Sequence, residues 1–283
     1  MDLILLNEML RGMAMKEADV IKQLKSPHTR ASLHKDFINL GLEKGMIVIV
    51  HSSLSAFGWV CGGAIAVVQA LMDTVGSEGT IVMPTQTADL SDPSEWQMPP
   101  VPKDWWATIR DNMPAYDPQT TPTRGMGKIV EVFRTFPEVK RSLHPMYSFA
   151  AWGKNADYIL SEQPLEEGFG PKSPLAKIYE LDGHILLLGV GHDSNTSLHF
   201  AEHAIIDREK VKKGTALFEN NERVWKTYEE IVYDSDCFAA LGEEFEKTYA
   251  VRKAAIGSAE CKLMKQQPIL DFARKWLNKK ERK

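Results

Sequence analysis

MIVIVHSSLSAFGWVCGGAIAVVQALMDTVGSEGTIVM, from Met46 to Met83, carries the clearest signal for the class of fold. Its two β-branched runs, residues 46–50 and 80–83, predict strands, and Pro84 ends the second of them. Residues 64–75 between the runs predict a helix. A strand, a helix and a strand in this order predict a parallel crossover unit, which is typical of α/β proteins.

Outside this unit, periodicity and apolar runs predict the remaining regular elements. These are helices over residues 17–42, ending near Gly41, over 125–136 and from Pro268 onward, a strand over 185–191, and a hairpin that joins 217–219 to 224–226. A tight loop after Gly191 leads to a helix that opens with a polar cap at Thr196. Residues 85–123 are rich in Pro, Asp and Trp and show little periodicity, which is typical of functional loops.

Composition bounds the class of protein. The chain has 283 residues, of which 43% are hydrophobic and 25% charged, as in soluble globular proteins. No linker is apparent, so we expect one domain over residues 1–283, with residues 1–25 at its periphery. A net charge of −4 favours no nucleic-acid partner. The three cysteines form no disulfide framework, and the N-terminal stretch matches neither a membrane span nor a secretory signal, so we expect a cytoplasmic protein.

The segment NTSLHFAEH, residues 195–203, is the strongest candidate for a reaction centre. Thr196, His199, Glu202 and His203 stand three or four residues apart, which predicts that they share one helix face at the carboxyl end of a strand. A histidine beside a carboxylate is suited to general-base chemistry. The alternatives are a surface His–Glu pair, or a zinc hydrolase, since His199, Glu202 and His203 fit the H-x-x-E-H pattern.

Three further segments carry weaker signals. HSSLSAFGWVCGG, residues 51–63, and TPTRGMG, residues 121–127, each precede a predicted helix start, where backbone amides favour phosphate. Their ordinary interpretations are a crossover loop and a helix cap. The carboxylates of Asp89, Asp92 and Glu95, between tryptophan-bearing stretches, suit a polycation, although an acidic solvated loop is the commoner outcome.

Six segments in order resemble the aminoglycoside 3-N-acetyltransferases, also called antibiotic N-acetyltransferases. They are HSSLSAFGWVCGG, GTIVMPTQTADLSDPSEWQ, TPTRGMG, RSLHPMYSFAAWG, PLEEGFGPKSPLAKIYELDG and LLLGVGHDSNTSLHFAE, between about residues 45 and 205. The resemblance implies an α/β fold with a mixed central sheet, flanking helices and long inserted loops, distinct from the GNAT fold. It also implies acetyl transfer from acetyl-coenzyme A to the 3-amino group of a 2-deoxystreptamine aminoglycoside, and hence antibiotic resistance.

Matching the family motifs residue by residue implies the roles of individual side chains. The implied catalytic residues are His199, Glu202, Thr196 and His51. The implied coenzyme-binding residues are Ser52, Ser53, Leu54, Ser55, Gly58, Thr123, Arg124, Gly125, Met126 and Gly127. The implied acceptor-binding residues are Asp89, Asp92 and Glu95, and no metal is implied.

We therefore predict direct attack of the acceptor amine on the thioester, with His199 as the base and Glu202 as its partner. No cysteine lies in a His-paired context, so we expect no acyl-cysteine intermediate. The expected partners are acetyl-coenzyme A and an aminoglycoside or related amine, with no membrane and no nucleic acid. Acetyl transfer to a different amine, the zinc hydrolase and a catalytically silent binding protein are the competing hypotheses.

Overall fold

Three parallel strands form the centre of the main sheet in the computed structural model, which describes residues 17–281. Strand β1 (Ile47–Ser52) lies between β2 (Thr80–Pro84) and β5 (His184–Leu188). Helix α3 (Gly63–Val75) connects β1 to β2, so the predicted crossover unit is confirmed. The carboxyl ends of β1, β2 and β5 therefore meet at one edge of the sheet.

Antiparallel strands complete this sheet on both sides. Strands β4 (Phe149–Gly153) and β3 (Lys140–Arg141) lie beyond β2, and β9 (Ala259–Lys265) and β8 (Arg252–Ile256) lie beyond β5. The order is β3-β4-β2-β1-β5-β9-β8. The mixed sheet that the family resemblance implies is thus confirmed.

Helices cover both faces of the sheet. One face carries α2 (Arg30–Leu40), α3 and α5 (Lys128–Phe133), and the other carries α6 (Ala156–Leu160), α7 (Pro174–Glu180), α8 (Leu198–Glu202), α9 (Phe238–Glu246) and α10 (Gln266–Glu281). Alternation along β1 separates the two cores, because Val48 and Val50 face the first group and Ile49 the second. No helix among residues 17–281 is long and apolar enough to cross a membrane.

A separate hairpin packs against the long loop of residues 85–123. Strands β6 (Lys210–Glu219) and β7 (Glu222–Ile231) pair antiparallel, so the predicted hairpin is confirmed with longer strands than expected. Asn220 and Asn221 form its turn with φ of 53° and 65°, values that asparagine tolerates better than most residues. Within residues 85–123, helix α4 (Trp106–Asn112) follows several single helical turns, and a small apolar cluster seats this loop against β6.

Two predicted helices differ in extent from those observed, and a third, expected to open at Thr196, begins at Leu198. The helix expected over 17–42 is wrong as one element, because residues 17–23, helix α1, are separated from α2 by a break that contains Pro27. Thr29 is the N-cap of α2 and forms a capping box with Ser32. The helix expected from Gly125 begins at Lys128, because Gly125 and Gly127 have positive φ.

Candidate active site

A cleft of about 260 Å³ opens at the carboxyl ends of the three parallel strands. Its position is the one that open α/β sheets use for ligands, where neighbouring connections diverge to opposite faces. The lining residues are Val50, His51, Ser52, Pro84, Gln86, Gly125, Met126, Val130, Val190, Asp193, Ser194, Asn195, Thr196, His199, Ser235 and Phe238.

His199 enters this cleft from the first turn of α8. The helix begins at Leu198 and Ser197 makes no side-chain cap, so the expectation that Thr196 caps it is wrong. Thr196 lies in the preceding turn and still lines the cleft. His199 Nδ1 donates a hydrogen bond of 2.6 Å to Glu202 Oε2. This bond fixes the tautomer and leaves Nε2 as the basic nitrogen for the cleft.

Glu202 stands behind His199, with only 1% of its side chain exposed. Its second oxygen, Oε1, accepts from Arg208 Nη2 at 2.6 Å and from the backbone N–H of Asp234 at 2.9 Å. A buried carboxylate needs such donors, because an unpaired charge in the interior is costly. Sequence reasoning missed Arg208 and Asp234, since neither lies in a motif. Arg208 precedes β6 and Asp234 follows β7, and the fold brings both to Glu202.

Aromatic rings enclose the His199 imidazole. Phe169 stacks on it with ring centroids 5.0 Å apart and planes 10° apart. Tyr233 and Phe238 approach at 5.3 and 4.8 Å with their rings inclined to it. The imidazole is thereby held in one orientation and partly shielded from water, which strengthens its interaction with Glu202.

His51 is a second histidine of the cleft and is 6% exposed. Burial, with smaller contributions from the charges of His199 and His192, lowers the pKa of His51 to about 3, so the ring is neutral near pH 7. Its Nε2 atom and the neighbouring Ser52 hydroxyl are buried and have no hydrogen-bond partner in the described part of the chain. Buried polar atoms of this kind normally bond a water or a ligand.

Asn195 is a cleft residue to which the sequence assigned no role. Its side chain is fully buried, and Nδ2 lies 3.4 Å from His192 Nδ1, while Nε2 of that histidine donates to Glu246 Oε1 at 2.8 Å. Asn195 Oδ1 has no partner among residues 17–281 and belongs to a side chain that lines the cleft. The sequence signal that could have identified Asn195 is its position in the loop after β5.

The residues expected to bind the coenzyme fall into two groups. Ser52, Gly125 and Met126 line the cleft. The residues outside its lining are Ser53, Leu54, Ser55, Gly58, Thr123, Arg124 and Gly127. The two segments are nonetheless adjacent, because a Cβ on Gly127 would lie 3.8 Å from the carbonyl oxygen of Ser52.

The three acidic side chains of the long loop each pair with a basic residue. Asp89 accepts from Arg124 at 2.6 Å across an exposed surface, and Glu95 accepts from Lys213 at 2.5 Å. Asp89, Glu95 and Arg124 line a second cleft together with Trp96 and Met98. Asp92 lies outside this lining, is 8% exposed, and takes two hydrogen bonds from Arg110.

The sequence model of the aminoglycoside 3-N-acetyltransferase family matches residues 49–278. The chain belongs to this family. It is 49% identical over 258 residues to the SPbeta prophage-derived aminoglycoside N(3')-acetyltransferase-like protein YokD of Bacillus subtilis strain 168, covering 91% of this chain and 95% of that protein. It is 31% identical to aminoglycoside N(3)-acetyltransferase IX of Micromonospora chalcea, covering 94% of this chain and 99% of that protein.

Solved structures of aminoglycoside acetyltransferases and their relatives share the fold. The crystal structure of YokD from Bacillus subtilis superposes with a TM-score of 0.92 at 48% identity, over 94% of this chain and 99% of that chain. AAC-IIIb, solved as a binary complex with CoASH, superposes with a TM-score of 0.80 at 32% identity, over 90% of this chain and 98% of that chain.

In this member of the aminoglycoside 3-N-acetyltransferase family, the two histidines of the H-x-x-E-H string bond different partners. His199 bonds Glu202, whose other oxygen bonds Arg208, and His203 Nε2 lies 2.9 Å from the Tyr233 hydroxyl. Within residues 17–281, no three His, Cys, Asp or Glu side chains are grouped so that they could hold a metal ion.

Proposed function

We propose that the chain transfers the acetyl group of acetyl-coenzyme A to the 3-amino group of 2-deoxystreptamine aminoglycosides, and thereby confers resistance to them. The observation that carries this proposal is the His199–Glu202 pair, which presents a basic nitrogen to a cleft at the carboxyl ends of β1, β2 and β5. Family membership supports the reaction, and the CoASH complex of AAC-IIIb supports the coenzyme. We place the reaction in the cytoplasm, where the three unpaired cysteines remain reduced.

His199 acts on the acceptor amine in this mechanism. Nε2 takes the proton that the ammonium or attacking amine must lose, and Glu202 stabilises the resulting imidazolium. The amine nitrogen attacks the thioester carbonyl carbon, and the Thr196 hydroxyl or a loop amide stabilises the oxyanion. The C–S bond then breaks, and the coenzyme A thiolate leaves.

Attack is direct because no cysteine is placed to carry the acetyl group. None of Cys61, Cys237 and Cys261 is among the residues that line the cleft. Burial raises the pKa of Cys237 above its ordinary value and that of Cys261 to about 11. Both thiols are therefore poor nucleophiles at neutral pH.

The neutral groups of the cleft hold the reacting part of the coenzyme. His51 Nε2, Ser52 Oγ and Asn195 Oδ1 are buried polar atoms of cleft residues without a partner in the described chain, so a bound ligand is suited to satisfy them. The Gly125–Met126 turn lies beside them and gives the coenzyme close access to backbone amides. The second cleft, with Asp89 and Glu95, receives the cationic acceptor.

A second candidate is acetyl transfer to a less highly charged amine. The observation that favours it is that all three carboxylates of the acidic loop are already paired, with Arg124, Arg110 and Lys213. Each pair reduces the negative potential that would attract a polycation.

An acetylation assay separates these candidates. The purified chain is incubated with acetyl-coenzyme A and either gentamicin-like and kanamycin-like drugs or small monoamines, and free thiol is measured. Mass spectrometry and NMR then give the number and position of the acetyl groups. We expect one acetyl group on the 3-amino nitrogen of the drugs. Acetylation of monoamines alone would favour the second candidate, and binding of acetyl-coenzyme A without any product would contradict both.

A further inference from the structure

The hydroxyl group of Tyr233 joins three segments of the chain. It lies 2.9 Å from His203 Nε2, 3.2 Å from the backbone nitrogen of Phe169 and 3.1 Å from Glu230 Oε1. A hydroxyl has one proton to donate and two lone pairs to accept with. The arrangement is complete when Tyr233 donates to Glu230 and accepts from Phe169 N–H and from His203 Nε2–H.

Tyr233 and its neighbour Asp234 contact the surroundings of His199 in two ways. Phe169, whose backbone it binds, stacks on the His199 imidazole, and the Tyr233 ring itself contacts that imidazole edge-on. The next residue, Asp234, donates its backbone N–H to Glu202 Oε1. The end of β7 therefore supports the imidazole and its carboxylate partner at the same time.

The groups that hold Tyr233 differ in burial, since His203 is only half-buried. Glu230 is fully buried and also accepts from the backbone N–H of Gly168 at 2.9 Å, beside the Phe169 that Tyr233 binds. Burial, with the charge of His199, lowers the pKa of His203 to about 4, so this ring is neutral near pH 7. Tyr233, Glu230 and His203 are not among the cleft-lining residues, so their effect on chemistry passes through other side chains.

We propose that Tyr233, anchored by His203 and Glu230, is a positioning residue that seats Phe169 against His199 and so fixes the imidazole for proton transfer. The second histidine of the H-x-x-E-H string then has a role as a hydrogen-bond donor to Tyr233. This proposal rests on the proposed function of His199 as the base.

The test compares two tyrosine variants that each lose one hydrogen-bonded hydroxyl. Tyr233→Phe removes the hydroxyl that joins the three segments. Tyr116→Phe is the control, because Tyr116 donates its hydroxyl to the Ser142 carbonyl away from the cleft. Two readouts are made on the full chain: the chemical shifts of the His199 ring protons, identified by their loss in His199→Ala, and the steady-state constants.

We expect Tyr233→Phe to move the His199 ring signals, because the ring-current shift from Phe169 changes, and to lower kcat by about 10- to 100-fold through misplacement of the base. The KM for acetyl-coenzyme A should change less than about twofold. Unmoved signals together with a kcat equal to that of Tyr116→Phe would overturn the proposal. The His199 ring signals can be measured without any turnover. A wild-type chain that forms no acetylated product would therefore contradict the proposed function without deciding the role of Tyr233.

A second pair of variants applies if Tyr233→Phe does not fold. His203→Leu removes the donor to Tyr233 and should shift the same signals with a smaller loss of kcat, whereas His203→Gln keeps an N–H donor and should restore both in part. Equal behaviour of the leucine and glutamine variants would contradict a role for the hydrogen bond.

Discussion

At the scale of single residues, His199 depends on contacts that determine which nitrogen is basic. Glu202 accepts a hydrogen bond from His199 Nδ1. Arg208 and the backbone N–H of Asp234 donate to the other oxygen of that carboxylate and hold it in place. A histidine with the same spacing but without these donors would be an ordinary helix-surface pair.

Replacement of the base is the most direct test at this scale. We expect His199→Ala to lower kcat by at least about 100-fold, because general-base assistance contributes roughly 10²–10⁴-fold. Acetyl-coenzyme A affinity, measured by calorimetry, should remain close to that of the wild type. Near-normal turnover in this variant would show that another group accepts the proton.

The Asp89–Arg124 pair joins residues expected to serve different ligands. We expect Arg124→Ala to raise the KM for acetyl-coenzyme A more than that for the amine, because a guanidinium beside the Gly125–Gly127 turn suits a phosphate. Asp89→Asn breaks the same ion pair and should instead raise the acceptor KM, with a larger effect at low salt. Steady-state kinetics with each substrate varied separately measures both. Identical changes in the two variants would mean that the ion pair itself matters.

At the scale of elements, the long loop is ordered by contacts that its own sequence pattern does not reveal. Asp92 binds Arg110 of α4, Tyr116 N–H donates to the Ala216 carbonyl of β6, and Arg223 of β7 donates to the Met113 carbonyl. Burial alone would raise the pKa of Asp92, but bonds from Arg110 and Ser94 outweigh it and hold that pKa below its ordinary value. Asp92 therefore anchors the loop in its ionised form.

A stability measurement distinguishes this anchoring role from acceptor binding. We expect Asp92→Asn to lower the free energy of unfolding by about 1–2 kcal/mol, because the charge-assisted bonds to the half-exposed Arg110 are weakened. Asp89→Asn is the control and should leave the melting temperature nearly unchanged, since both members of its pair are exposed. Equal melting temperatures for the two variants would contradict the anchoring role.

At the scale of the whole molecule, buried neutral histidines determine how stability responds to acid. Burial lowers the pKa of His51 to about 3 and that of His144 and His203 to about 4, with a further contribution from His199 at His51 and His203. The unfolded chain binds these protons near pH 6.5, so stability falls as pH drops below that value. Glu230 acts in the opposite direction, because burial raises its pKa to about 7. The folded chain therefore binds this proton at a higher pH than the unfolded chain does.

These three histidines outweigh the one glutamate, so stability falls on acidification. Burial also lowers the pKa of His184 and His192, which act in the same direction as the three. We expect the free energy of unfolding to fall by about 2 kcal/mol per pH unit near pH 5.5. Urea titrations at several pH values between 7.5 and 5 measure this slope. His144→Asn retains an acceptor for the backbone N–H groups of Met146 and Tyr147 and should reduce the slope by roughly 1 kcal/mol per pH unit. Constant stability over this range would show that these histidines titrate in the folded protein.

Features that arise from local spacing could be predicted from the amino-acid sequence. The crossover unit of β1, α3 and β2, the hairpin at Asn220 and the position of His199 and Glu202 after a strand all follow from short-range periodicity and turn chemistry. The family motifs also specified the mixed sheet. Where a local rule was overlooked, as at Pro27, the predicted element was wrong.

The distant groups that meet at the site could not be predicted in this way and are known from the folded structure. Phe169, Arg208, Tyr233 and Asp234 contact the His199–Glu202 pair, or each other, from turns and strands with no common motif. The ion pairs of Asp89, Asp92 and Glu95 likewise join residues that are 18 or more positions apart. Such contacts depend on how the whole core packs, because the free energy that brings them together comes from burial elsewhere in the chain and not from their own spacing.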